Sequence, residues 1–359
     1  MNIGSTYLRK DGRWESRISL GSVNGKRQSR SFYGHTKEEA ERKLMTILVN
    51  NTSPLITEMT VKELCIEWLH VSSTRVKQST LANYRMKIQK HIIPYFGIMM
   101  CSEITSRQAY TFIQQKLDKA LSSRYITDII VLLKSIFKYA HKEYKIHNPF
   151  INISAPKSVK TEKRLLSEEE QRKLKEYINN NTCPMSVGIA LALSMGLRIG
   201  EVCGLRWEDI DFSNRILSIR RSVQRISVQN NIKKTQVIVS SPKSISSERK
   251  IPIPADVFIM LEELRSSSSH YILSDGIKPV EPRKMQYYFA KILKIMNLSK
   301  VSFHSLRHQF ASKAIELGFD VKTLSEILGH SRIELTMNLY VHSNMDRKRI
   351  CMEKIGWNN

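Results

Sequence analysis

The apolar residues change their period along the chain. In residues 5–33 they alternate with polar ones: Trp14, Ile18 and Leu20 fall on one side of a period-two pattern and Arg13, Glu15 and Arg17 on the other, which predicts short strands. Asn24-Gly25 marks a tight turn, and a second strand follows with Lys26, Arg27 and Arg30. Thr36 with Glu39 three residues on forms a capping box that opens a helix through about residue 49. Residues 1–50 therefore predict a small β-sheet-plus-helix module, and the polar stretch Asn50 to Thr57, with its proline, a linker.

From residue 60 to 147 the period is helical throughout. Leu64, Trp68 and Leu69 recur at that spacing, as do Ile129, Leu132, Leu133, Ile136 and Phe137. Between them the run His91-Ile-Ile-Pro-Tyr-Phe-Gly97 breaks the pattern. Residues 148–166 carry Pro149, Pro156 and several lysines with little periodicity, so the main domain boundary is expected there, closed by a second capping box at Ser167 and Glu170. Beyond it the pattern predicts two helices around 184–210 and strands near 216–223, 235–241 and 249–253. Helices follow near 255–265, 281–296, 304–317, 320–328 and 332–341. The last domain is thus expected to be mainly α with a small antiparallel β-sheet.

Charge narrows the partner. The 359 residues hold 57 Lys+Arg against 33 Asp+Glu, a formal charge of +24 with a pI near 9.8, which favours a polyanion. The excess is spread over all three segments, so contact along the whole chain is expected. Nothing reads as a membrane span, a secretory leader or a lipidation motif, so no membrane partner is expected. The five cysteines, Cys65, Cys101, Cys183, Cys203 and Cys351, are odd in number and never form C-x-x-C, which argues against a disulfide framework and a zinc site and fits a reducing cytoplasm.

Two basic clusters have ordinary explanations beside functional ones. The charged strands Arg13, Arg17, Lys26, Arg27 and Arg30 could merely blunt sheet edges, or the sheet could lie in a DNA groove. Lys134, Lys138 and Lys142 repeat every four residues and form a row that is either a solvated helix face or a phosphate-binding one.

Six side chains of the last domain can handle a phosphodiester: Arg198, Lys243, His304, Arg307, His330 and Tyr340. Arg198 lies in Gly196-Leu-Arg-Ile-Gly-Glu201, between two glycines that interrupt a helix; its planar fork can grip two phosphate oxygens, or it can simply pair with Glu201. In His304-Ser-Leu-Arg-His308 the spacing of three sets His304 and Arg307 on one helix face, a donor beside a permanent cation. Leu328-Gly-His330 reads as a helix end with a donor just beyond it. Tyr340 follows ten residues later; a helical tyrosine is most often core, but its phenolate is also a competent nucleophile and leaving group. Lys243 sits between two predicted strands in a serine-rich turn where a lysine is ordinarily just solvated.

Taken in order, G-L-R-I-G-E, the lysine in S-P-K-S, H-S-L-R-H, L-G-H and a tyrosine in T-x-x-x-Y-x-H resemble the tyrosine recombinase (phage integrase) family over roughly residues 160–345, in particular the integrases of conjugative transposons and temperate phages. The resemblance implies that Arg198 and Arg307 bind the scissile phosphate, that His304 and His330 assist, that Lys243 protonates the leaving oxygen and that Tyr340 attacks. Glu201 would support the site without touching DNA. Gln309 stands where relatives often carry a small hydroxylated residue. Residues 58–147 resemble the family's helical, SAM-like core-binding domain, residues 1–50 its three-stranded arm-binding module, and 160–359 its catalytic domain.

The implied function is a site-specific recombinase, cutting and rejoining DNA through a 3′-phosphotyrosine to integrate and excise a mobile element. Storing the bond this way requires no metal, ATP or other cofactor, and the chain has neither G-x-x-x-x-G-K-[ST] nor a carboxylate cluster beside the motifs. The expected partners are double-stranded DNA at core and arm sites, three further copies of the chain on synapsed DNA, and an excisionase or host DNA-bending protein in the nucleoid of a bacterial host. Asn344 to Asn359 would pack on a neighbouring protomer or fray as a basic tail. A type IB topoisomerase shares the same constellation, and a DNA-binding regulator could carry the fold idle; the N-terminal module argues against the first and the intact set of six against the second.

Overall fold

The computed structural model describes residues 5–23, 26–51, 59–157, 164–228, 235–240, 248–265, 270–274 and 276–330, with isolated positions beyond 332. The chain forms two compact units, Met1–Lys77 with Tyr84–Ser158, and Gln78–Asn83 with Val159–Asn359.

The alternating N-terminal pattern becomes a three-stranded antiparallel sheet, β1 (Ser5–Leu8), β2 (Trp14–Val23) and β3 (Lys26–Gly34), in that order. Val23 pairs with Lys26, and Asn24 and Gly25 between them lie outside the described residues. Helix α1 (Lys37–Asn51) starts as expected: Thr36 Oγ1 accepts the Glu39 N–H at 3.2 Å, and the Glu39 carboxylate accepts the His35 N–H at 2.9 Å. It runs two residues past its predicted end, into the expected linker. Glu15 is not on a solvated face but 3% exposed, accepting from Arg9 Nη1 at 2.7 Å.

The helical stretch contains α2 (Val61–Ser73), α3 (Gln78–Lys87), α4 (Ile93–Phe96), α5 (Ser106–Asp118) and α6 (Ser123–Tyr144). The predicted break at His91–Gly97 is instead a continuation. Residues Ile88–Ile92 form a π turn, in which the Ile93 N–H reaches back five residues to Ile88 O, and this wider turn carries the backbone into Pro94 at the start of α4 without the bond its ring cannot donate. The periodic residues are the core: Leu64, Ile129, Leu133, Ile136 and Phe137 are fully buried with Phe96, Phe112 and Phe150. Each such aromatic contributes about 1.5–3 kcal/mol by leaving water.

The second unit is built on α7 (Glu168–Asn180), α8 (Pro184–Met195) and α9 (Ile199–Gly204), then β4 (Ile210–Asp211), β5 (Ile216–Ile219), β6 (Ser222–Ser227), β7 (Thr235–Ser240) and β8 (Arg249–Pro252). Helices α10 (Ala255–Glu263), α11 (Pro282–Ile295), α12 (Phe303–Glu316) and α13 (Val321–Leu328) complete it. Helix α8 is apolar almost all round because it is the central, buried helix. The single strand predicted at 216–223 divides in two. β5 joins β4 and β8, while β6 pairs with β7 as a separate hairpin. At the division Arg221 pairs with Asp209 (2.7 Å) and Glu208 (2.9 Å). Most of the helix predicted at 332–341 lies outside the described residues, as does the boundary segment 158–163. Among the described residues no helix is long and apolar enough to cross a membrane.

Candidate active site

Helix α8 stops at Gly196, whose φ of +66° favours glycine and where a Cβ would stand 2.5 Å from Phe310 Cδ1. Two residues on, Arg198 caps α9 in an extended conformation, so its side chain leaves the helix axis rather than lying along it. Its Nη2 donates to Gly329 O at 3.2 Å, its Nη1 to Glu201 Oε1 at 2.8 Å and its backbone N–H to Glu201 Oε2 at 2.9 Å. The side chain remains 36% exposed, so the guanidinium is held through both terminal nitrogens and still partly open to solvent.

Arg307, on α12, is by contrast buried, with Nη1 donating to Gly196 O at 2.8 Å and Nη2 to Leu328 O at 2.7 Å. Burial and then the Arg198 cation pull its pKa down to about 9, still above neutrality, so the guanidinium is charged.

Helix α13 ends in a left-handed Gly329, φ +61°, and the turn delivers His330, whose N–H donates to Ser325 O at 3.1 Å. Burial, followed by Arg307, Arg198 and Arg249, pushes the His330 imidazole down to about 4. It is therefore neutral at pH 7 and able to accept as well as donate. His304 is exposed on the first turn of α12, edge-on to His308 with ring centroids 4.9 Å apart. His308 in turn adds to the field on His330.

Glu201 is 3% exposed at the centre of this cluster. Burial raises its carboxyl pKa, but Arg249 and then Arg198 outweigh that and hold it below the ordinary carboxylate range. Arg249 is the residue that sequence reasoning missed. No motif contains it, although its place two residues from the buried Ile251 on β8 sets it on the inward side of a strand. The structure thus brings together Arg198, Glu201, Arg307 and His330, with His304 one ring contact away through His308. Lys243 and Tyr340 lie outside the described residues. The Gln309 side-chain oxygen is buried with no hydrogen-bond partner.

Of the basic residues expected on DNA, Arg13 and Arg17 are exposed on β2 and just before it, Arg13 paired with Asp11 at 2.8 Å. The register sets Lys26 opposite Val23, Arg27 opposite Ser22 and Arg30 opposite Ile18; the side chains of these three lie outside the described residues. Lys138 and Lys142 are exposed on α6 and, with Arg75 and Trp68 of the same unit, line a cavity of 390 Å³, while Lys134 is half-buried. Among the described residues no group of three or more His, Cys, Asp or Glu side chains is placed to hold a metal ion.

Residues 164–347 match the family model described as the phage integrase family, and residues 60–117 that described as the phage integrase N-terminal SAM-like domain. The chain is 30% identical to the tyrosine recombinase XerC-like protein of Caldanaerobacter subterraneus subsp. tengcongensis over 94% of each chain. It is 24% identical to the ICEBs1 integrase of Bacillus subtilis, over 96% of this chain and 97% of that one. In structure it is similar to the Tn1549 transposon integrase solved in complex with transposon right end DNA, with a TM-score of 0.71 and 22% identity over 83% of this chain and 99% of the other. It is also similar to the lambda integrase tetramer bound to a Holliday junction, with a TM-score of 0.59 and 21% identity over 91% of this chain and 95% of the other. These structural likenesses show the mainly helical fold with small antiparallel sheets that the sequence predicts.

Proposed function

The chain belongs to the phage integrase family and is a tyrosine-type site-specific DNA recombinase, and from that premise we propose that it integrates and excises a mobile element by cutting DNA with Tyr340. The phenolic oxygen attacks the scissile phosphorus and the bond to the 5′-oxygen breaks. The phosphorus stays on the protein as a 3′-phosphotyrosine. Lys243 gives a proton to the departing 5′-oxygen, and the 5′-hydroxyl of another strand later reverses the step. Arg198 and Arg307 hold the non-bridging oxygens as charge builds on them, the preorganised electrostatics that usually contributes most. His304 and neutral His330 assist, the latter able to accept the phenolic proton, and Glu201 supports Arg198 without touching DNA.

The observation that carries this reading is the anchoring of both arginines by backbone carbonyls on the one turn that also presents His330. Residues 160–359 are the catalytic domain in this reading. Residues 58–147 are the core-binding domain, touching DNA with Lys134, Lys138 and Lys142, and residues 1–50 are an arm-type DNA-binding module. Exchanging two duplexes takes four cleavages, so the working form is a homo-tetramer on two synapsed sites; lambda integrase was solved as a tetramer bound to a Holliday junction. An excisionase or a host DNA-bending protein completes the complex in the bacterial nucleoid.

The test is Tyr340→Phe, which removes one oxygen. On a nicked suicide substrate carrying the element's end sequence, wild type is expected to give protein-linked DNA on a denaturing gel and the variant none, with DNA binding retained. An adduct of normal yield from the variant would overturn the assignment.

A further inference from the structure

The recombination chemistry above leaves one buried arginine without a task. Arg249 on β8 keeps only 6% of its side chain exposed. Its Nη2 and Nη1 fork onto Glu201 Oε2 and Oε1 at 3.0 and 3.2 Å, and its Nε donates to Ile327 O at 2.6 Å. It lies directly under the turn that carries His330: a Cβ on Gly329 would stand 2.9 Å from Arg249 Nη1 and 3.1 Å from its Cδ.

Glu201 is therefore shared in a definite way. Each of its oxygens takes one donor from Arg249 and one from Arg198. One carboxylate cannot neutralise two guanidiniums. Arg198, Arg249 and Arg307 against Glu201, with His330 neutral, leave two net positive charges. Attack on a phosphodiester monoanion builds negative charge on its non-bridging oxygens, which a cluster of net positive charge stabilises.

We propose that Arg249 is a positioning residue that occupies Glu201, so that Arg198 keeps its charge and its exposure for the scissile phosphate. The inference rests on the reading of Arg198 as a phosphate ligand. Without Arg249, the buried carboxylate has Arg198 as its remaining guanidinium partner at this centre. In a medium of low dielectric that attraction strengthens. The Arg198 fork turns onto Glu201, and the cluster drops to one net positive charge.

The experiment follows adduct formation on the nicked suicide substrate carrying the element's end sequence, using the full chain, with thermal unfolding and DNA binding measured alongside. Arg249→Met keeps the bulk and removes the charge; its cleavage rate is expected to fall about 10- to 100-fold, the cost of removing a partner that orients an active-site ligand, with DNA binding kept. Adding Glu201→Gln to Arg249→Met is expected to restore at least part of that rate, because the amide cannot hold the charge of Arg198. A merely structural role predicts the opposite, a double variant no faster than Arg249→Met, and that result would overturn the proposal, as would Arg249→Met at the wild-type rate. Should Arg249→Met fail to fold, Arg249→Gln, which keeps a donor for Ile327 O and removes the charge, is compared with wild type on a substrate bearing a methylphosphonate at the scissile position, which carries one negative charge fewer. The Gln variant's deficit is expected to shrink on that substrate; an unchanged deficit overturns the proposal. Failure of wild type itself to form an adduct would instead sink the underlying nucleophile assignment.

Discussion

Arg198 and Arg307 come from different helices yet end on consecutive peptide carbonyls, Gly329 O at 3.2 Å and Leu328 O at 2.7 Å. The turn that closes α13 thus serves as a common brace, and whatever moves it moves both guanidiniums and His330 together. The two arginines differ in exposure, one partly open to solvent and one buried, so substitutions at them should differ in their balance of stability and activity.

Arg307→Lys keeps a positive charge but cannot reach both Gly196 O and Leu328 O. One buried carbonyl is left without its donor, which costs about 1–3 kcal/mol, and the loss is read as a lower urea midpoint. Adduct formation is expected to fall about 10²–10³-fold, as when one preorganised donor is removed from a charge-stabilising site. A wild-type cleavage rate would take Arg307 out of the phosphate site.

His330 gives a pH signature. Its pKa is lowered in the folded protein to about 4, from an unperturbed value near 6.5. Between these values the unfolded chain binds more protons than the folded one, so stability rises with pH across that window and is lost as pH falls from about 6.5 toward 4. Unfolding midpoints measured from pH 4 to 7 are expected to show a flatter slope in His330→Asn than in wild type. Equal slopes would mean that another group titrates there.

Lys243→Ala is expected to slow cleavage about 10²–10⁴-fold, the usual worth of a general acid at a poor leaving group. Replacing the bridging 5′-oxygen by sulfur makes a leaving group that needs no proton. The Lys243→Ala defect is therefore expected to vanish on that substrate, while an Arg198→Ala defect persists because its task is at the non-bridging oxygens. If sulfur leaves the lysine defect unchanged, the proton comes from elsewhere, with His304 next in line.

Deleting residues 1–50 is expected to spare cleavage at the crossover site and weaken full integration. The isolated segment should bind duplex DNA with an affinity that falls as salt rises, by counterion release from Arg13, Arg17, Lys26, Arg27 and Arg30. Its sheet, closed by α1 through Ala40, Leu44 and the Lys43 to Tyr33 O bond at 2.9 Å, gives it a small core of its own. Absence of salt-sensitive binding would assign the module to protein contacts.

Several features of this protein were legible in its sequence because they are set within a few residues. Thr36 with Glu39 and Ser167 with Glu170 mark helix starts since each pair satisfies amide groups on its own turn. Leu64, Ile129, Leu133 and Phe137 mark the inner face of the helical bundle since a helix repeats every 3.6 residues. The order of the arginine, histidine and glycine motifs pointed to the family, and the four described groups Arg198, Glu201, Arg307 and His330 do meet.

What the sequence did not disclose depends on residues far apart. A proline reads locally as a break, yet Pro94 sits inside a continuing helix because the π turn before it relieves the bond it cannot make. The strand at 216–223 divides because its two halves take different partners, β8 for β5 and β7 for β6, a choice made far along the chain. Arg249 has no motif to announce it. A buried guanidinium is tolerable only where acceptors meet its donors, and for Arg249 folding alone brings Glu201 from α9 and Ile327 from α13 to the end of β8.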